Sequence, residues 1–260
     1  MSEPATSPDN PRTLVIDIGG TGLKMIVLGG DGQPVNERAR ELTPRPSSPK
    51  TVMDVLKGMV GDQPEHDRVS VGFPGVVKRG VVQTAPNLGT SHWASFDLGA
   101  EIEAMTGKPT RAMNDADLQG YGVIEGVGSE LVLTLGTGLG SAVFIDGRLV
   151  PNLELAHQRF RKGDTYEQRV SNAALERKGK RNWSERVHRM LEELERIWNY
   201  DLLHLGGGNT KKLQGKLPKN VRTFTNVEGM TGGAMLWDDR LDEKGVRREA
   251  CIDTTASSGE

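Results

Sequence analysis

Leu14-Val15-Ile16-Asp17-Ile18-Gly19-Gly20-Thr21-Gly22-Leu23-Lys24-Met25-Ile26-Val27-Leu28 joins two short apolar, β-branched runs through a glycine turn, and Gly29-Gly30-Asp31-Gly32 closes the second run. Strand, glycine turn, strand, glycine turn is the pattern of a hairpin. The same pattern returns downstream. Leu131-Val132-Leu133-Thr134-Leu135 runs into Gly136-Thr137-Gly138-Leu139-Gly140, and Ala142-Val143-Phe144-Ile145 runs into Asp146-Gly147. Gly20-Thr21-Gly22-Leu23 recurs as Gly136-Thr137-Gly138-Leu139 at an offset of 116, and Asp31-Gly32 as Asp146-Gly147 at an offset of 115. A period that long is not a solenoid repeat. It marks two related α/β lobes descended from a duplication.

Helical patterns lie between and after these hairpins. Val52, Val55, Leu56 and Met59 predict a helix over 47–61, after the Pro-rich loop Thr43-Pro44-Arg45-Pro46. A short helix is predicted over 116–124. Val187, Met190, Leu191, Leu194, Ile197 and Trp198 fall at spacings of three and four, with Glu192, Glu193, Glu195 and Arg196 on the other face; that is an amphipathic helix. Leu202 to Leu205 reads as a strand stopped by Gly206-Gly207-Gly208, and Asn226 to Trp237 as a closely packed last helix. Alternating elements of this kind give an α/β domain. Residues 1–12 and 240–260 are polar or charged and are expected to be disordered. The lobes are expected over 13–112 and 113–239, with the last helix able to pack back on the first lobe.

Composition narrows the function. The 260 residues carry 33 Lys and Arg against 35 Asp and Glu, a net charge of −2, which does not suit a general nucleic-acid binder. No apolar run approaches the ~18 residues of a membrane span. The opening residues have no basic flank followed by an apolar stretch, so a secretory signal is not expected. One cysteine, Cys251, can form neither an internal disulfide nor a thiolate zinc cluster, so a reducing cytoplasm is expected.

The two glycine turns are the first chemical signal. Backbone N–H groups in such turns can converge on an anion, and glycine lets phosphate approach the chain. Thr21 and Thr137 add hydroxyls, and Lys24 adds a compact cation. Either turn alone is an ordinary hairpin turn; the duplication and Lys24 together favour a phosphate chain clamped from both lobes. No Gly-x-x-x-x-Gly-Lys-Ser/Thr loop occurs, and Gly136-x-Gly138-x-Gly140 lacks the spacing of a dinucleotide fingerprint. The protein-kinase signature set is missing as well. Asp17, an acid ending an apolar strand, is either a turn residue or a group holding Mg²⁺ through water. In Asn114-Asp115-Ala116-Asp117, Asn114 can cap a helix while the aspartates suit its first turn. Asp115 can equally serve as a general base, and spacing alone does not separate it from Asp117. Glu154 and His157, three apart, can share one side of a turn and bind a polyhydroxylated ligand. They are not an HExxH metal pair. Pro74-Gly75 and Pro86-Asn87 read as loops.

Taken in order, Asp17-Ile18-Gly19-Gly20-Thr21-Gly22-Leu23-Lys24, Phe73-Pro74-Gly75-Val76-Val77, Thr84-Ala85-Pro86-Asn87-Leu88, Asn114-Asp115-Ala116-Asp117, Thr134 to Ala142, Glu154-Leu155-Ala156-His157 and Leu205-Gly206-Gly207-Gly208 resemble the ROK (repressor, open reading frame, kinase) family of sugar kinases. Within it the chain is similar to the polyphosphate glucokinase subgroup. The resemblance spans residues 13–237. It implies an actin-like ATPase (ribonuclease H-like) fold with a cleft between two lobes, and phosphoryl transfer to the 6-hydroxyl of glucose, with mannose as the next acceptor. It implies Asp115 as the base and Gly75, Asn87, Asn114, Glu154 and His157 as sugar-binding residues. Gly19, Gly20, Thr21, Gly136, Thr137 and Gly138 would hold phosphates, Gly206, Gly207 and Gly208 would lie near a nucleotide base, and Asp17 would help place Mg²⁺. A homodimer is expected on the same ground.

Most ROK kinases carry a cysteine-rich zinc motif after the Glu/His pair, and this chain, like the polyphosphate subgroup, has none there. Ala156 stands where the subgroup usually has glycine, which puts a methyl near the expected sugar position. Only about 12 residues precede the first strand, so a helix-turn-helix repressor is not expected. Between Arg159 and Arg189 ten Lys and Arg stand against four acids, a local charge of +6, and Leu205 to Thr225 carries five cations and no acid. A polyanionic donor would use such a track, and a solvated helical face would look the same. The donor, polyphosphate or ATP, is therefore left open. A sensor that binds nucleotide or sugar without transfer is the alternative, but it leaves Asp115 without a purpose.

Overall fold

The structure, a computed structural model, describes residues 10–237. The expected disorder at the two ends falls mostly outside them. Within them the chain is fixed by Arg12, whose N–H donates to Asp67 Oδ2 at 2.8 Å, so the first ordered residues lie inside the stretch expected to be disordered.

Two five-stranded sheets make the frame. The first contains β1 (Thr13–Ile18), β2 (Gly22–Leu28), β3 (Ala39–Leu42), β4 (Arg68–Phe73) and β5 (Thr110–Asn114), in the order β3-β2-β1-β4-β5. The second contains β6 (Ser129–Leu135), β7 (Leu139–Ile145), β8 (Arg148–Val150), β9 (Leu202–Gly206) and β10 (Val221–Thr223), in the order β8-β7-β6-β9-β10. In both sheets the first three strands are antiparallel and the last two join in parallel. Order and direction repeat strand for strand, which is the duplication read from the glycine turns. Two ribonuclease H-like sheets facing each other make the actin-like ATPase fold. The copies differ at the turn itself. Ile18 pairs with Leu23 across the first turn and Leu135 with Leu139 across the second, so the first is one residue longer.

Each sheet buries both faces. On the outer face of the first, Leu14, Ile16 and Ile18 pack on Val52 and Leu56 of α1 (Pro49–Gly61) and Ile102 of α2 (Leu98–Thr106). Between the sheets lie α3 (Asp115–Tyr121) and α5 (Asn226–Met235), flanking α4 (Asn172–Trp198) in sequence. Val15, Ile26 and Leu28 of the first sheet, Val132 and Phe144 of the second, and Leu118 and Met230 of the two helices form that shared core. The outer face of the second sheet packs Leu131, Leu133 and Leu135 against Val187, Met190 and Leu191 of α4. The last helix reaches the first lobe, where Ser70 Oγ donates to the Gly233 carbonyl at 2.7 Å.

Several elements depart from the sequence reading. α4 starts 15 residues before the apolar pattern does and changes direction at Gly179, whose φ is +72°. Its first half buries only Ala174, Leu175, Trp183 and Ser184, too few to set a clear period. α3 begins at Asp115 and ends at Tyr121, because Asn114 caps one end and Gly122 the other. β9 extends one residue, through Gly206.

Candidate active site

The cleft between the sheets, about 550 Å³, opens where β1 and β6 end in their glycine turns. Strand alternation decides what faces it. Val15 on β1 points to the shared core, so Asp17, two residues on, points the same way at the strand's end. Across the first sheet Gly72, Asp17, Lys24 and Arg40 lie in one register row. Lys24 Nζ donates to Asp17 Oδ2 at 2.5 Å. The two turns meet across the cleft: Thr21 Oγ1 and Thr137 Oγ1 are 3.5 Å apart, 116 residues apart in sequence. Gly19 N–H closes the first turn on the Gly22 carbonyl, and Gly136 N–H the second on the Gly138 carbonyl, both at 3.0 Å.

Asp115 forms the floor. It is the first residue of α3, and it can approach β4 because residue 72 is glycine: a Cβ there would lie 3.3 Å from Asp115 Cα. Asn114 fixes the approach from both ends of its amide. Its Oδ1 accepts from Ala116 and Asp117 N–H at 2.8 and 3.1 Å, and its Nδ2 donates to the Gly75 carbonyl at 3.1 Å. Three of its four bonding positions are thus taken, and one N–H is left for a ligand. Burial, then the neighbouring Asp17 and Glu154 carboxylates, push the Asp115 carboxyl up to about 8, against the opposing pull of the Ala116 N–H and Lys24.

Asp117 takes the other direction and does not line this cleft. Its Oδ2 accepts from Asn152 N–H at 3.1 Å, and its buried Oδ1 has no hydrogen-bond partner among the described residues. Burial raises its carboxyl to about 7. It lines a different cavity, about 970 Å³, behind β5, which holds none of the expected site residues.

Glu154 and His157 border the far side of the cleft, with Glu154 Oε2 and His157 Nε2 3.9 Å apart. Ser141 Oγ holds their loop by donating to the Leu153 carbonyl at 2.8 Å and accepting from Leu155 N–H at 3.1 Å. Burial raises the Glu154 carboxyl, His157 lowers it, and Glu167 raises it. Ala156, between them, is 2% exposed and packs into the core of the second lobe, so its methyl does not enter the cleft. That corrects the expected placement near the sugar. In the turn Leu155–His157 both Leu155 and Ala156 are buried in that core, and His157 is left on the cleft side.

Of the expected site residues, Asp17, Gly19, Gly20, Thr21, Lys24, Gly75, Asn87, Asn114, Asp115, Gly136, Thr137, Gly138, Glu154, His157, Gly207 and Gly208 line this cleft. Gly206 does not; it belongs to β9 and lies under the Phe224 ring. Gly207 turns the chain with φ +90°, a region that favours glycine. Asn209 then ties this turn to the phosphate turn, donating from Nδ2 to the Gly136 carbonyl at 3.1 Å. None of the ten cations between Arg159 and Arg189 lines the cleft, whereas Lys211 and Lys212 do. Sequence reasoning missed Arg38 and Arg40, Glu167, which accepts from Leu139 N–H at 3.1 Å, and Asn209. The polar residue after three glycines was the available signal for Asn209; the arginines, one on a four-residue edge strand and one just before it, had none.

Among the described residues no cluster of three or more His, Cys, Asp or Glu side chains could cage a metal. One carboxylate facing phosphate turns is nevertheless a fit for Mg²⁺, which keeps waters and takes one or two carboxylates plus substrate phosphates. Asp17 is that carboxylate. The Asp115 carboxyl beside it is raised first by burial, with the Asp17 and Glu154 carboxylates adding to the shift.

The sequence profile of the ROK family matches residues 13–152. A polyphosphate glucokinase of Mycobacterium tuberculosis (strain H37Rv) is 35% identical over 245 residues, 85% of this chain and 89% of the relative. One from Mycobacterium leprae is 32% identical over 255 residues, covering 90% and 77%. The crystal structure of an inorganic polyphosphate/ATP-glucomannokinase from Arthrobacter sp. strain KM superposes with a TM-score of 0.77 at 33% identity, covering 86% of this chain and 97% of that one. A ROK family glucokinase from Streptomyces griseus, in complex with glucose and AMPPNP, shares the fold with a TM-score of 0.72 at 19% identity, covering 86% and 98%. With the profile matched over more than half its length and relatives of this identity over nearly all of it, the chain belongs to the ROK family.

Proposed function

We propose that this cleft transfers the terminal phosphoryl group of polyphosphate or ATP to the 6-hydroxyl of glucose. The observation that carries the reading is the placement of Asp115, a carboxyl on the floor of a cleft whose roof is two facing phosphate turns. A donor lying between the turns would present its last phosphorus toward that floor. Gly75 and Asn87 from the first lobe and Glu154 and His157 from the second border the space beside Asp115, which suits a sugar with several hydroxyls. Both expected acceptors, glucose and mannose, fit that description.

In the reaction Asp115 accepts the proton of the 6-hydroxyl as its oxygen attacks in line. The new O–P bond forms, the bridging P–O bond breaks, and the donor leaves one phosphate shorter. The proton on Asp115 then passes to solvent. Turn N–H groups and Lys24 stabilise the charge spread over the transferred group, and positioning with electrostatics supplies most of the catalysis in such transfers. Mg²⁺ beside Asp17 would supply further positive charge to the donor phosphates. Asn114 is a positioning residue, since it holds α3 and the Gly75 loop together.

The test is an assay of glucose 6-phosphate from purified protein, Mg²⁺ and glucose, with polyphosphate or ATP as donor. Product with either donor supports transfer. Folded protein that binds sugar yet makes no hexose phosphate from any donor would replace the enzyme by a sensor.

A further inference from the structure

The donor end of the cleft holds charges that the transferred phosphoryl group does not account for. Arg38 and Arg40 enter it from β3 and the residue before it, at the edge of the first sheet. Lys211 and Lys212 enter from the opposite wall, on the short turn of helix Thr210–Lys212 that follows the Gly207 turn. None of these four has an ion pair or a side-chain hydrogen bond among the described residues, unlike Lys24, which Asp17 engages. Unpaired cations facing one another across a cleft repel, so the arrangement favours an anion between them.

Register gives these charges a direction. Arg40 is the cross-strand neighbour of Lys24, which is the neighbour of Asp17. Neighbouring strands lie about 4.8 Å apart, so the row steps outward from the reaction centre to the sheet edge in regular intervals. The Arg40 guanidinium reaches back along it: a Cβ on Gly22, at the end of the first phosphate turn, would lie 3.1 Å from Arg40 Nε. Glu41, the next residue, pairs in register with Leu23 and belongs to the opposite face.

The same end of the cleft offers little to a purine. Among the described residues lining the cleft, the only apolar side chains are Leu139, Pro74 and Pro86, and no Phe, Tyr or Trp is among them. Small-molecule sites for flat rings are lined mainly by hydrophobic and aromatic groups.

We infer that Arg38 and Arg40 on one wall and Lys211 and Lys212 on the other form a subsite for donor phosphates beyond the one transferred, which selects a linear polyphosphate chain over a nucleotide. This rests on the kinase reading above. It also assigns the donor track to these four residues and not to the more strongly basic stretch from Arg159 to Arg189.

The experiment measures kcat/KM for glucose phosphorylation with long-chain polyphosphate, tripolyphosphate and ATP at several salt concentrations. Wild type is expected to gain efficiency with chain length. Arg38→Gln/Arg40→Gln and, separately, Lys211→Gln/Lys212→Gln should each lose ~10-fold or more with long-chain polyphosphate, and much less with tripolyphosphate. Each pair should also flatten the slope of log(kcat/KM) against log[salt] by about 1.4, at ~0.7 per phosphate contact on a flexible polyanion. Arg38→Lys/Arg40→Lys should restore most of the chain-length dependence, which a merely structural role would not. Lys178→Gln/Lys180→Gln, outside the cleft, should behave as wild type. Equal losses on all three donors, or no loss in either pair, would overturn the subsite while leaving the kinase intact. Direct binding of labelled polyphosphate without sugar separates the two readings further. Salt-sensitive binding lost in both variant pairs upholds the subsite even if no sugar phosphate forms, and binding unchanged in both rejects it.

Discussion

Asp115 and Asp117 are two residues apart, both acidic and both in the first turn of α3, yet only Asp115 lines the cleft between the glycine turns. Sequence spacing could not separate them, because the direction of each follows from Asn114 closing the helix start and from Asn152 N–H claiming Asp117. For Asp115, the folded carboxyl titrates near 8 against ~3.9 for an unfolded one. This reverses the usual carboxylate case. Between those values the unfolded chain has already lost its proton while the folded one keeps it, so the group's contribution to stability falls as pH rises from about 4 to about 8 and is level above. Asp115→Asn should therefore lose ~10²–10⁴ in kcat. It should also raise the melting temperature at pH 8, by ~2–4 °C for each kcal/mol recovered, and much less at pH 4.5. Melting curves at the two pH values with kinetics on the same preparation check this; a variant within a few-fold of wild-type kcat would remove Asp115 from the base role. The same shift makes wild-type kcat/KM climb with pH toward 8, since the base must be ionised. Glu154→Gln acts differently. It keeps shape but loses a charge on the sugar side, so KM for glucose should rise ~10-fold or more with a smaller change in kcat, and an unchanged KM would move the sugar elsewhere.

At the scale of elements, the parts that sequence reveals are those whose pattern is local. The glycine-flanked runs at Leu14–Leu28 and Leu131–Ile145 became β1, β2, β6 and β7, because a buried hairpin needs apolar residues throughout and a turn between them. The C-terminal half of α4 showed its apolar stripe for the same reason. β3, with three of its four residues exposed, has no such pattern, and its place in the sheet comes from pairing with β2. The arginines near it were consequently invisible as site residues. β5 is recognised only through its partner β4, and α3 only through its cap. That cap can be tested. Asn114→Ala removes an N-cap worth about 1 kcal/mol and frees the Gly75 loop, so it should lower both the melting temperature and kcat. Asn114→Asp can still cap but cannot donate to the Gly75 carbonyl, so it should regain most of the stability and little of the rate. Full recovery of kcat in Asn114→Asp would show that the Gly75 bond does not position Asp115. Amide exchange over residues 115–121 would report the cap independently of activity.

At the scale of the molecule, the duplication and a phosphate chain clamped from both lobes could be read from the sequence, whereas the arginines that the edge strand brings to the donor end could not. The donor region has one glycine turn from each copy, meeting at Thr21 and Thr137, and cations from both walls. The proposed sugar region is bordered by Gly75 and Asn87 from the first lobe and Glu154 and His157 from the second. On that reading each ligand would make contacts on both sides of the same cleft. A ligand that contacts both lobes favours whatever spacing of the lobes suits its contacts, and the second ligand then meets that spacing already set. The two affinities should be coupled, and by linkage the coupling is reciprocal. Calorimetric titration of glucose into the protein with and without tripolyphosphate, using Asp115→Asn to prevent turnover, should show glucose binding ~5-fold or more tighter when the donor site is filled. Titrating in the other order should give the same factor. The Thr21→Ala/Thr137→Ala variant removes the two hydroxyls that face each other where the lobes meet, so it should reduce that factor more than it weakens either ligand alone. Equal glucose affinity in the presence and absence of tripolyphosphate would mean that the lobes hold one fixed spacing and that each ligand reads only its own part of the cleft.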